Sequence, residues 1–125
     1  MSLKVLLVDD SGLARRSTRR VLENAGYTVV EADDGLSALE QFAVEKPDIV
    51  MLDLVMKGMY GLEVLAKLRE LDPAVRVIVM TADIQTSSRD MVQLAGASAF
   101  INKPASPAAV LETVQRVLEG TPPWN

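Results

Sequence analysis

Three short apolar runs constrain this chain more than anything else in it, because each is apolar at consecutive positions and each stops abruptly in polar chemistry. Val5-Leu6-Leu7-Val8 ends at Asp9 and Asp10, Ile49-Val50-Met51-Leu52 at Asp53, and Val77-Ile78-Val79-Met80 at Thr81. Four residues are too few for a helix. A strand that does not alternate must be covered on both faces, as in a parallel sheet flanked by helices. Carboxylates and a hydroxyl then leave three buried strands at their C-terminal ends, where open α/β sheets place their ligand sites. Asp53 is the leading candidate for the reactive group.

At 125 residues the chain fits one domain, and a domain of that size buries roughly two-thirds of the surface its unfolded chain exposes. There are no cysteines and no histidines. Disulfides, thiolate chemistry, zinc ligation by those residues and imidazole base catalysis are therefore excluded from within the chain. Acid-base or metal chemistry falls to carboxylates, hydroxyls and lysine. Lys plus Arg total 13 against 17 Asp plus Glu, a net charge of −4, which argues against nucleic acid as a direct partner. The first apolar run is too short for a signal or spanning segment and meets two acids at once, so the expectation is a soluble cytoplasmic protein with no membrane insertion.

Taken in order, Leu3 to Val8 is predicted as the first strand, and Ser11 or Asp10 caps a helix running to about Ala25, with Gly26 as its stop. Arg15, Arg16, Arg19 and Arg20 form two basic ridges on that helix, read either as a solvated face or as a docking surface for an acidic partner. Thr28 to Ala32 alternates and carries Glu31, as an outer strand would. Asp33-Asp34-Gly35 turns into a helix with Leu36, Leu39, Phe42 and Ala43 on one face. After Asp53 comes a loop with two glycines, Gly58 and Gly61, then a helix with Leu62, Leu65 and Leu68. The fourth helix opens at Gln85 to Asp90 and is expected to bury Ile84, Met91 and Leu94 before Gly96. Ala97 to Ile101 is a short last strand. A helix from about Pro107 then turns Val110, Val114, Val117 and Leu118 inward. Residues 1–120 are expected to form the domain and 121–125 a flexible tail.

Five strand-helix units with three buried and two outer strands favour, by right-handed crossovers, a doubly wound five-stranded parallel sheet in the order 2-1-3-4-5. Strands 1 and 3 are then neighbours at the switch point, so Asp9, Asp10 and Asp53 converge. Three crowded carboxylates repel, and a hard divalent cation relieves them. Mg²⁺ suits such a site, since it takes oxygen ligands and uses one or two carboxylates while keeping waters. A bound ion of this kind invites phosphate. Thr81 would donate a hydrogen bond to a phosphoryl group, Lys103 would neutralise another of its oxygens, and an aspartate carboxylate is a known covalent acceptor.

The residues that carry this chemistry are Asp9 and Asp10 after the first strand, Asp53 after the third, Thr81 after the fourth and Lys103-Pro104 after the fifth. In that order, each at a strand end, they make the chain resemble the receiver domain of bacterial two-component response regulators, of the stand-alone chemotaxis type, over essentially its full length. The resemblance implies a flavodoxin-like (βα)5 fold. It implies that Asp53 is the phosphoacceptor, with Asp10 and Asp53 as Mg²⁺ ligands, Asp9 acting through an outer-shell water and the Val55 carbonyl completing the protein ligands. Thr81 and Lys103 would bind phosphoryl oxygens, Lys103-Pro104 would be a cis peptide, and Phe100 would be an aromatic switch that packs inward as Thr81 moves.

By the same resemblance a sensor histidine kinase or phosphotransfer protein donates the phosphoryl group, a phosphatase is a further candidate partner, and a downstream protein binds the face of helix 4, strand 5 and helix 5. The protein would be a signalling module that catalyses its own aspartyl phosphorylation and dephosphorylation, and not a metabolic enzyme. With no effector domain expected after residue 120, output would run through protein binding, although an N-terminal receiver from a longer DNA-binding regulator reads the same. A phosphate-independent interaction module is the other alternative, but its usual signature is loss of an acid, the Thr or the Lys, and all are present. A flavin carrier would need a Ser-, Thr- and Gly-rich loop where Asp9-Asp10 stands. An aspartyl phosphohydrolase would carry its nucleophile on the first strand. Lys57 and Tyr60 depart from the family pattern beside Asp53, where proline and an acid are commonest. Val55 is apolar and does not orient a hydrolytic water by its side chain, whereas Asp83 is placed to do so, and spontaneous dephosphorylation is expected not to be especially fast.

Overall fold

Strand and helix alternate through the chain: β1 (Lys4–Val8), α1 (Gly12–Asn24), β2 (Thr28–Ala32), α2 (Gly35–Glu45), β3 (Ile49–Asp53), α3 (Gly61–Leu71), β4 (Val77–Thr81), α4 (Thr86–Leu94), β5 (Ala99–Asn102) and α5 (Pro107–Leu118). The computed structural model describes residues 2–56, 58–82 and 86–120. The strands form one sheet in the order β2-β1-β3-β4-β5, and every neighbouring pair is parallel.

The consecutive apolar positions divide between the two faces of the sheet, as the period of two requires. Leu6, Val8, Val50, Leu52, Val77 and Val79 join one core layer with Ala38 of α2, Val64, Leu65 and Leu68 of α3 and Val92 of α4. Val5, Leu7, Ile49, Met51, Ile78 and Met80 join the other with Leu22 of α1 and Val110, Val114 and Val117 of α5. This double layer is why β1, β3 and β4 lack alternation. β2 lies at one edge of the sheet, and there Thr28 is exposed while Val30 and Glu31 are half-buried.

The helix starts follow local chemistry. Ser11, and not Asp10, caps α1 by accepting from the Ala14 N–H at 3.2 Å, Asp34 caps α2 from Ser37 at 2.7 Å, and Ser106 caps α5 from Ala109 at 3.1 Å. Each satisfies a backbone donor that the first turn leaves without a partner. Gly26 and Gly96 end their helices at φ +97°.

The structure corrects several boundaries and faces. β1 begins at Lys4 with Leu3 exposed, and β5 runs from Ala99 to Asn102. Ala97 and Ser98 are spent on the approach, where their N–H groups donate to the carbonyls of Val92 and Val77. On α2 the buried face is Gly35 and Ala38 flanked by Leu39 and Phe42, with Leu36 and Ala43 outside. On α4 the inward residue is Val92, with Ala95 beyond the helix end packed beside it, whereas Met91 is 52% and Leu94 88% exposed. Val92 and Ala95 pack against the core layer of α2 and α3, and that leaves the larger Met91 and Leu94 side chains on the outer face. Ile84 lies outside the described residues.

Candidate functional site

The buried polar or charged side chains among the described residues are Asp9, Asp53 and Thr81, at 2%, 8% and 1% exposure. All stand at the C-terminal edge of the sheet, on or just past the ends of β1, β3 and β4. Burying a carboxylate is costly unless it is paired or coordinates a metal, so their gathering at one edge marks a site and not a fold requirement. β1 and β3 are adjacent, and this register brings together residues 44 positions apart. Asp9, Asp10 and Asp53 each offer an oxygen within 4.8 Å of the others, with Asp10 exposed and the other two buried.

Asp9 is held from several sides. Its N–H donates to the Ala32 carbonyl of β2 at 3.1 Å. Its Oδ1 accepts from Ser11 N–H at 2.9 Å, its Oδ2 from Lys103 Nζ at 2.7 Å, and its backbone carbonyl from Arg15 Nη1. Asp53 is held less firmly. Its Oδ1 accepts from Val55 N–H at 3.3 Å and its Oδ2 from Lys103 Nζ at 3.4 Å. Lys103 thus bridges the two buried carboxylates. Its backbone is held by the bond from its own N–H to the Thr81 carbonyl at 2.8 Å, and the peptide to Pro104 is cis.

Burial pushes the Asp53 carboxyl above its ordinary range; Lys103 pulls it down, and the charge of Asp9 pushes it up again. For Lys103 burial opposes the charge, yet the hydrogen bond to Asp9 and the nearby negative charges prevail and hold its pKa above the usual lysine value. The pocket thus sets one lysine against three carboxyl side chains, a group rich in hard oxygen donors. That donor set fits a hard divalent cation. Asp9, Asp10 and Asp53 are the residues that would hold it.

Phe100 lies on β5, half-buried against the core layer of α2, α3 and α4, opposite Val79 in register. The segment after β3 is tied at both ends: Leu54 N–H donates to the Met80 carbonyl and Gly61 N–H to the Leu54 carbonyl, both at 2.9 Å. Tyr60 precedes α3 without a side-chain cap bond. Lys57 and Asp83 lie outside the described residues.

The basic ridge on α1 is split by the structure. Arg15 and Arg19 both reach Glu31 on β2, and Arg19 also pairs with Glu23. Half of the expected docking surface is thereby paired with acids of the same chain, and Arg16 and Arg20 remain exposed. The close approaches at Gly35 and Gly61 were also not foreseen. A Cβ on Gly61 would stand 2.7 Å from the Asp53 carbonyl oxygen and from Leu54 Cα. The sequence holds no signal for this: Gly12 also stands at a first helical position, and a Cβ there would meet only Arg15 Nη2, at 3.9 Å.

Residues 5–115 match the family described as the response regulator receiver domain. The response regulator MprA of Mycobacterium ulcerans (strain Agy99) is 38% identical over 121 residues, covering 97% of this chain and 52% of that protein. The chain thus spans about half the length of the MprA relatives it matches. The chemotaxis protein CheY of Thermotoga maritima is 36% identical over 118 residues, covering 94% of this chain and 98% of that one. Among solved structures, the CheY-like response regulator receiver domain protein from Methanospirillum hungatei JF-1 superposes with a TM-score of 0.91 at 29% identity, covering 97% of both chains.

Proposed function

The chain belongs to the response regulator receiver family, and from that premise we propose that it is a phosphorylation switch in which Asp53 accepts a phosphoryl group from the phosphohistidine of a sensor kinase or phosphotransfer protein. The observation that carries this reading is the convergence of Asp9, Asp10 and Asp53 at one sheet edge with Lys103 bridging the two buried members. An Asp53 oxygen attacks phosphorus, the bond from phosphorus to the donor nitrogen breaks, and the donor imidazole leaves with the electron pair. Lys103 is already within reach of both carboxylates, so it neutralises charge on the transferred group without a large rearrangement. Thr81, buried at the end of the adjacent strand, donates its hydroxyl to a second phosphoryl oxygen. Asp10, Asp53 and the Val55 carbonyl, with Asp9 through a water, would hold Mg²⁺, which would supply the positive charge an anionic carboxylate needs beside an anionic phosphoryl group.

The cleft between α1 and the segment after β5, lined by Ala14, Ser17, Thr18, Lys103 and Pro104, opens beside this edge and supports access for a donor. Output would follow from Thr81 and Phe100 repositioning β5 and α4. The exposure of Met91 and Leu94 on α4 supports a protein target there, because a large apolar side chain left in water gains most by being covered. The module catalyses its own phosphorylation and dephosphorylation and is not a metabolic enzyme. No helix among the described residues is long and apolar enough to cross a membrane, and the kinase would meet the domain in the cytoplasm. The length of MprA relative to the match supports a second arrangement, in which such a domain is one part of a longer regulator. The switch chemistry is common to both.

Intact mass after incubation with acetyl phosphate, with and without Mg²⁺, tests the reading on the natural chain and on Asp53→Asn. A single phosphoryl adduct requiring both the metal and Asp53 is expected. An adduct that survives Asp53→Asn, or none at all, overturns it.

A further inference from the structure

Residues 54–56 carry the Val55 backbone directly after Asp53 and residues 58–60 lead into α3, so their position bears on the pocket. Backbone bonds tie the segment at its two ends, Leu54 N–H to the Met80 carbonyl and Gly61 N–H to the Leu54 carbonyl, but Tyr60 makes no side-chain cap bond and Gly58 adds freedom at φ +86°. A further anchor comes from a different unit of the fold. Leu54 and Met56 are buried in the core layer of α2, α3 and α4, and Met59 packs against it. At the first turn of α2 stands Gly35, also buried. A Cβ there would lie 2.7 Å from Met59 Cβ, 3.0 Å from Met59 Sδ and 2.9 Å from Val64 Cγ2. The Gly35 backbone is not in the left-handed region, so glycine is not required there by conformation. Any ordinary residue would make a better helix. Space for Met59 is what glycine provides.

We propose that Gly35 and Met59 form a positioning contact for the acidic pocket: the bare first turn of α2 seats Met59, and the seat helps set where the backbone beyond β3 places Val55 beside Asp53 for a hard divalent cation. The inference rests on the function proposed above. It names Gly35 and Met59 as positioning residues, neither of which touches the reacting atoms. Residues that orient metal ligands from behind typically change affinity by about 10- to 100-fold when replaced, and the same order is expected here.

The test uses the full chain with Gly35→Ala, Met59→Ala and, as a control in the opposite core layer, Val5→Ala. Mg²⁺ affinity is read by titration calorimetry, and hydrogen exchange of the Val55 and Gly61 amides is read without metal. Gly35→Ala is expected to weaken Mg²⁺ binding about tenfold and to speed exchange at Val55. Met59→Ala should act in the same direction. Val5→Ala should lower the melting temperature and leave both readouts unchanged. If Gly35→Ala does not fold, Met59→Ala decides the matter alone. Natural Mg²⁺ affinity and natural Val55 exchange in either folded variant overturn the inference, as does an equal effect from Val5→Ala. If the natural chain binds no Mg²⁺, the proposed function falls, and exchange at Val55 alone decides whether Gly35 and Met59 position the segment.

Discussion

Replacing Gly61 by alanine places a methyl group against three backbone atoms at the end of β3: the Asp53 carbonyl oxygen and Leu54 Cα at 2.7 Å and the Leu54 carbonyl oxygen at 2.8 Å. Ordinary contact begins near 3.4 Å, so the gap must open by about 0.7 Å, the difference between 3.4 and 2.7. No side chain can turn away to provide it. Either α3 shifts outward or the strand end moves, and the Gly61 N–H bond to the Leu54 carbonyl at 2.9 Å is strained in both cases. Overpacking of this kind costs about 1–3 kcal/mol. Alanine returns less than about 1 kcal/mol of helix preference, and less again at the first helical position, where the helix is only half formed. The net loss is about 1–2 kcal/mol. For a chain of 125 residues each kcal/mol moves the melting temperature by about 4 °C, so a fall of about 4–8 °C is expected. Urea unfolding should show a lower midpoint at an unchanged slope, and phosphorylation of Asp53 by acetyl phosphate should slow because the displaced peptide is its own. A variant with the natural midpoint and the natural rate would refute the steric reasoning.

Other perturbations have worked signs. Lys46 follows α2 at φ +48°, a left-handed position that costs a side-chain-bearing residue about 1–2 kcal/mol. Lys46→Gly, after the extra freedom glycine gives the unfolded chain, should raise stability by about 0.5–1 kcal/mol in thermal or urea unfolding. Glu31 has its pKa lowered chiefly by the Arg19 hydrogen bond, against burial and with help from Arg15. Its folded pKa lies below the unfolded one, so its contribution is present above the unfolded value and is lost as pH falls through the folded value. Glu31→Gln should therefore cost up to about 1 kcal/mol at neutral pH, a figure kept small by solvent screening, and should match the natural chain in acid. Asp53 has the opposite sign, because burial raises its carboxyl. Its charge destabilises the metal-free fold above the unfolded pKa, and Asp53→Asn should melt higher at pH 7 with the gap closing as pH falls. Mg²⁺ at about 100 times its dissociation constant should then stabilise the natural chain by about 2.7 kcal/mol and the variant by less; equal shifts would remove Asp53 from the cation site.

Much of the site was readable before any coordinates, for a specific reason. Asp9, Asp10, Asp53, Thr81 and Lys103 each stand on or just past the end of a strand, and parallel strands joined by right-handed crossovers leave few ways to arrange their ends. Convergence of the acids follows from order alone. The helix faces were less readable. On α4 the pairs Met91 with Leu94 and Val92 with Ala95 share the same three-residue spacing, so the pattern fits two rotations, and packing against the core selects Val92 and Ala95. Arg15 and Arg19 looked like a solvated ridge because their partner, Glu31, lies on another element.

The sequence by itself determined the alternation of strands and helices, the strand order and the identity of the acidic edge, because those depend on periodicity, caps and strand-end residues that act over a few positions. Only the tertiary structure decided that Lys103 bridges Asp9 and Asp53, that Glu31 consumes half of the α1 arginines, and that Gly35 and Gly61 are glycines for want of space. These are properties of pairs. A distance between two groups far apart in the chain exists only once the sheet and helices have packed, and at distances near 3 Å a shift of a few tenths of an ångström changes whether the pair attracts or collides.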